Sequence, residues 1–168
     1  DLGVAPLACP VGGERALTSG EVKLAASVFG TAIDYAAVTI RRRKWFPFQP
    51  RKVTMAPRGH LHFHPRGSAY CDDFSREDLH RQGFFIHEMT HVWQARANGK
   101  WFLILNRMPW ARYDYSLKPG WPLARYGIEQ QAEIVKHAFW LRNRAKVAGI
   151  SDVSAYDLLV NFPGAATS

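Results

Sequence analysis

Apolar and polar positions along this chain follow two different periods, and the changes between them divide it into segments. TSGEVKLAASVF carries a helix start signal, Thr18 as N-cap with Glu21 three residues on, and closes at Gly30. IDYAAVTI, Ile33 to Ile40, and RKVTMA, Arg51 to Ala56, are rich in β-branched residues and predict strands. PRGH, Pro57 to His60, predicts a turn into LHFHP, so residues 44–65 read as a hairpin or meander. A second start signal, Ser75 with Asp78, opens DDFSREDLHRQGFFIHEMTHVWQARANGK, and Asn98-Gly99 stops it. Within that helix Phe85, Met89 and Val92 form an apolar stripe, which leaves His87, Glu88 and His91 turned toward a cleft. WFLILNRMPWARYDYSLKPGWPLARY has no sustained period and predicts a long ordered loop of the kind that shapes substrate clefts. Helical spacing resumes with Ile128, Ala132, Val135 and Phe139 and ends at Gly149, after which SDVSAYDLLVNF adds a short helix. No internal repeat or low-complexity stretch interrupts the pattern.

These elements predict an α+β fold. A small antiparallel sheet, from the chain before Pro65, packs on the helix bearing His87, and a helix from Tyr126 to Ala148 crosses nearby. With 168 residues and 47% hydrophobic composition, the chain can bury one core, and residues 1–168 are expected to form one domain. The apolar run from Trp101 to Leu105 falls far short of the roughly 18 residues that span a bilayer, so no transmembrane segment is predicted. The start, DLGVAPLACPVGGE, lacks a basic region followed by an apolar one, and Asp1 in place of Met implies a processed form or an excised part of something longer.

Charge narrows the partners without choosing one. Twenty-two Lys and Arg against 14 Asp and Glu give +8, which favours nucleic acid, anionic lipid or cell wall. The densest basic stretch, IRRRKWFPFQPRK from Ile40 to Lys52, interleaves aromatics with cations as some single-strand binders do. A solvated loop, with Arg heads in water and Trp45, Phe46 and Phe48 packed inward, explains the same residues better than nucleic-acid recognition does. Cys9 and Cys71 form no framework and no CxxC pair, so they are expected as buried thiols, or as a single disulfide in an oxidising compartment.

The chemistry concentrates in FFIHEMTHVWQ, Phe84 to Gln94. His87 and His91 lie one helical turn apart on one face, where two imidazoles can converge on an ion with Glu88 beside them. The bare motif arises often enough by chance that a third ligand has to be found, because a catalytic zinc takes three protein ligands. Gln94 and Ala97 stand where HExxHxxGxxH would require Gly and His, which excludes that arrangement. EQQAE on the next helix offers Glu129 as a ligand and Glu133, one turn on, as a carboxylate able to hold an imidazole by its free N–H. Asp114 is a more distant candidate. Zinc held there would polarise a carbonyl and lower the pKa of water to about 7, with Glu88 as the general base. Tyr113, Tyr115, Tyr126 and His137 are unranked candidates for stabilising the oxyanion. His60, His62 and His64 in HLHFH would share one face of a strand, and could line the cleft, face solvent or hold a second metal.

HExxH followed on a second helix by ExxAE resembles the gluzincin pattern. The resemblance implies a zincin-like fold with Glu129 as ligand and Glu133 behind it; Glu133 stands where that pattern usually has Asp. More narrowly, VTIRRRKWFPFQP, HLHFHP, FFIHEMTHVWQ and YGIEQQAEIVKHAFWLR together resemble the Vgr-related metallopeptidase domains, some of which extend VgrG spike proteins of type VI secretion in Pseudomonas. The resemblance covers about residues 18–145. It implies a zinc peptidase carried on a VgrG spike into the periplasm of a rival bacterium. Substrates there would be envelope proteins or peptides, and an immunity protein would be the partner in the producer. Two other readings stand beside it: a basic adaptor with a structural zinc that binds nucleic acid or an anionic surface, and a housekeeping metalloprotease.

Overall fold

The computed structural model describes residues 8–99 and 112–165. The apolar run Trp101 to Leu105, and the part of the expected loop up to Ala111, lie outside the described residues.

Three short strands form one sheet in the order β1 (Glu14–Ala16), β2 (Thr39–Arg41), β3 (Leu61–His62). β1 and β2 are antiparallel, with Arg15 opposite Ile40, whereas β2 and β3 are parallel, with Ile40 opposite Leu61. The sheet is therefore mixed, not antiparallel as expected. The physical reason is the long connection between Arg41 and Leu61, which can cross over and return in the same direction. Only the end of Ile33 to Ile40 is strand, since Tyr35–Ala37 closes into a 3-10 turn. The expected hairpin reduces to one antiparallel bridge between Met55 and His62, made by the turn at Pro57 to His60. β1 carries no β-branched residue and went unpredicted.

Four α-helices stand among the described residues: α1 (Ser19–Phe29), α2 (Leu79–Asn98), α3 (Ile128–Arg142) and α4 (Val153–Leu159). α1 starts with the expected capping box, the Thr18 hydroxyl accepting from Glu21 N while the Glu21 carboxylate accepts from Thr18 N. It ends at Gly30, at φ 53°, where a Cβ would lie 2.1 Å from the Pro163 carbonyl oxygen. Glu21 also accepts from the two terminal nitrogens of the Arg15 guanidinium, at 2.7 and 3.0 Å, and from Phe74 N at 3.0 Å. One buried carboxylate thereby ties α1 to β1 and to the turn before α2.

α2 begins at Asp78, whose side chain accepts from Arg81 N, not at Ser75. Ser75 belongs to a separate 3-10 turn, Phe74–Arg76, capped by Asp73, and the extended backbone of Glu77 parts the two. Phe85, Ile86, Met89 and Val92 are fully buried. α2 packs along α3 and touches β3. Gly83 makes the helix pair close: a Cβ there would stand 2.3 Å from the Trp140 indole nitrogen, which donates to the Leu79 carbonyl at 2.9 Å. α3 stops at Asn143, short of the expected Gly149, because Arg144 adopts a left-handed φ of 62°. The short tail helix, α4, forms as expected and is pinned to α3 by Arg142 and Asp157 at 3.0 Å.

Candidate metal centre and cleft

The spacing of His87 and His91 sets both imidazoles on the side of α2 that meets α3, with ring centroids 5.0 Å apart. Glu129, in the first turn of α3, points back at them, and its Oε2 stands 3.1 Å from the Nε2 of each. Ligand atoms from these three buried residues lie within 4.8 Å of one another, a grouping able to hold a metal ion. It is the one such cluster of His, Cys, Asp or Glu among the described residues. Asp114 is exposed and not part of it.

The far side of each ring is also occupied. Glu133, one turn along α3, faces His87 Nδ1 at 3.6 Å and pairs with Lys136. His91 Nδ1 meets the Gln94 amide oxygen at 2.8 Å. With acceptors near both Nδ1 atoms, neutral rings protonated there would turn both Nε2 lone pairs toward the Glu129 carboxylate. Two lone pairs and an anion facing one another in a buried spot are a donor set suited to a cation. With only protons to reconcile them, the charges shift strongly. Burial pushes the His87 imidazolium down, but its contacts with Glu129 and Glu133 and the charge of Glu88 outweigh this and raise it to about 9. Burial pushes Glu129 up, and the two histidines pull it well below the ordinary carboxylate range. Glu133, also raised by burial, is brought down to about 2 by His87 and Lys136.

A cavity of about 270 Å³ opens beside this group. His87, Glu88 and Glu133 line it together with the aromatic rings of Phe84 and Trp140 and with Lys52 to Thr54. Glu88 is buried and reaches the cavity without belonging to the ligand cluster. Of the four candidate oxyanion donors, Tyr113 alone lines the cavity, its ring stacked 6.0 Å from that of His87. The Tyr115 hydroxyl is shared between His137 Nδ1 at 2.6 Å and Tyr156 at 2.7 Å, and the Tyr126 hydroxyl accepts from Lys118 N.

HLHFH does not line the cavity. His62 is buried in β3, His60 Nδ1 accepts from Thr39 N, and His64 Nδ1 accepts from Arg66 N. Their strand, Leu61–His62, is two residues long and contains only His62 of the three. The basic stretch also differs from expectation. Arg41 and Arg43 pair with Glu14, and Arg42 lies over the Tyr70 ring at 4.2 Å. Phe48 is 85% exposed. Gln49 turns inward in its stead, accepting from Trp45 N and donating to the Val53 and His62 carbonyls. Its amide satisfies backbone groups that an aromatic ring could not. Both cysteines are buried free thiols. No helix among the described residues is long and apolar enough to cross a membrane.

Gln94 and Gln131 were not singled out by sequence reasoning, although Gln94 sits three residues after His91, on the same face. That spacing next to a metal-ligand motif was the available signal.

No family model matches the chain. It is 43% identical over 158 residues to the type VI secretion system spike protein VgrG2b of Pseudomonas aeruginosa, in an alignment covering 89% of this chain. The chain spans about 15% of the length of that curated relative. Among solved structures, the effector domain of Pseudomonas aeruginosa VgrG2b matches with a TM-score of 0.70 and 37% identity. That match covers 92% of this chain and 88% of the other.

Proposed function

Because the chain belongs to the family of the Pseudomonas aeruginosa VgrG2b effector domain, we propose that it is a zinc-dependent metallopeptidase acting as a type VI secretion effector. The observation that carries the reading is the convergence of His87, His91 and Glu129 beside a cleft into which Glu88 projects. Two imidazoles and one carboxylate are a donor set of catalytic zinc, and they leave a coordination position for substrate or water. Glu129 ahead of Glu133 on one helix also supports the gluzincin assignment and the zincin-like description of the fold.

Bound zinc would supply Lewis acidity to a water and to the scissile carbonyl. Glu88 accepts the proton of the attacking water as the oxygen–carbon bond forms, and delivers it to the amide nitrogen as the carbon–nitrogen bond breaks. Glu133 holds His87 from behind. Tyr113, at the cleft beside His87, is the donor placed to stabilise charge on the carbonyl oxygen. The substrates are peptide bonds of envelope proteins or of peptidoglycan in the periplasm of the target cell. A VgrG spike is the carrier, and an immunity protein protects the producer.

Glu88→Gln tests this directly. It should leave metal content and fold intact while hydrolysis falls by about 10² to 10⁴. Wild type exported to the periplasm of a susceptible cell should stop growth, cytoplasmic protein should do much less, and Glu88→Gln should be harmless in both. Toxicity that survives in Glu88→Gln would overturn the peptidase reading; toxicity confined to the cytoplasm would overturn the periplasmic target.

A further inference from the structure

We infer that Gln94 is a positioning residue for the metal group, joined with Gln131 in a buried amide relay that fixes the His91 tautomer and ties that ring to the backbone beside Glu129. The inference rests on the reading of His87, His91 and Glu129 as a metal group. The direction of every hydrogen bond in the relay follows from its ends. The carbonyl oxygens of Tyr126 and Ile128 can only accept. Gln131 must therefore present its Nε2 to Tyr126 O, at 2.9 Å, which turns its Oε1 toward Gln94. Gln94 Nε2 then donates to Gln131 Oε1 and to Ile128 O, each at 3.0 Å, which turns its own oxygen to His91. An amide oxygen accepts, so His91 Nδ1 carries a proton, and the neutral ring then has its Nε2 lone pair free for the site.

The relay does what a carboxylate could not. A Glu or Asp behind His91 would meet two further acceptors, Ile128 O and Gln131 Oε1, with no proton to offer either. Gln94 is 1% exposed, and the site already holds Glu88 and Glu129 as buried carboxylates. A neutral group with an acceptor on one side and donors on the other satisfies every partner without adding charge. The two ring supports therefore differ: Glu133 is charged, half-buried and shared with Lys136, whereas Gln94 is neutral, sealed in, and connected to the residue immediately before Glu129. Through this amide the ligands on α2 and α3 are kept in mutual register.

The test compares Gln94→Leu and Gln131→Leu with Thr90→Val. Thr90 is equally buried on α2 and donates to Ile86 O, and it does not belong to the ligand cluster. Zinc affinity is measured by competition with a chromophoric chelator, the visible spectrum of the cobalt-substituted protein reports ligand geometry, and thermal unfolding of the chelator-treated protein reports stability. Gln94→Leu should weaken zinc binding by roughly 10- to 100-fold and shift the cobalt bands. Gln131→Leu should do so less, because Gln94 keeps its bond to Ile128 O; it carries the test alone if Gln94→Leu does not fold. Thr90→Val should lower stability and leave both metal readouts unchanged. Wild-type affinity and spectrum in both Gln variants, or an equal loss of affinity in Thr90→Val, would overturn the positioning role alone. Wild-type protein that takes up no zinc would overturn it together with the metal reading.

Discussion

Glu21 and Glu129 are both buried carboxylates near the start of a helix, and their surroundings point to opposite uses. Glu21 meets its own cation: Arg15 supplies two guanidinium nitrogens, and the backbone amides of Thr18 and Phe74 add two more donors. The charge is neutralised within the chain, and the result is a brace between α1, β1 and the turn before α2. Glu129 meets two imidazoles, each braced by an acceptor behind its far nitrogen. There the three side chains form a buried group that could hold a metal ion. Burial of a carboxylate is thus not a sign of function by itself; what matters is the kind of group that surrounds it.

The largest effect should separate the two in metal content. Elemental analysis of wild type is expected to find one zinc per chain, and His87→Ala/His91→Ala none, while any folded Glu21 variant keeps its zinc. Zinc retained in the double variant would erase the distinction. Next comes stability: Glu21→Ala leaves the Arg15 guanidinium buried without its carboxylate and should cost about 3 to 5 kcal/mol in denaturant unfolding. A loss below 1 kcal/mol would show that water or relaxation replaces the pair.

His62 sharpens the contrast, as a buried histidine whose Nδ1 has no hydrogen-bond partner among the described residues. Burial, aided by the charges of Arg41, His60 and Arg43, lowers it to about 4. Because the folded value lies below the unfolded one, near 6.5, the unfolded chain binds more protons between the two. Stability is therefore complete above about pH 6.5 and lost as pH falls toward 4, by up to about 3 kcal/mol. His62→Phe should flatten that part of the pH–stability curve; an unchanged slope would assign the loss to other groups. Smallest is Phe48→Ser, at an 85% exposed ring, expected within about 0.5 kcal/mol of wild type. A larger loss would mean that the ring packs in solution as the sequence pattern suggested.

Legibility followed locality. The capping box at Thr18 and Glu21, the stripe of Phe85, Met89 and Val92, the stop at Gly99 and the small tail helix are all written within a few residues, where periodicity and capping chemistry decide. The HEMTH spacing likewise obliges His87 and His91 to share a helix face. The helix start at Asp78 was missed by three residues because two acidic caps, Asp73 and Asp78, lie close together and only the backbone of Glu77 separates their turns.

Tertiary structure alone decided the rest. Which way β2 and β3 run depends on how the chain between Arg41 and Leu61 crosses, and no local period records that. Phe48 lies outside, against expectation, while Gln49 is buried and donates to the carbonyls of Val53, four residues on, and of His62, 13 residues on. The histidines of HLHFH and of HEMTH look alike in sequence; only the second pair meets carboxylates from another helix. A helix period determines which side chains share a face. What stands opposite that face is set by packing between segments far apart in the chain, here by Gly83 admitting Trp140 and bringing Glu129 to its histidines.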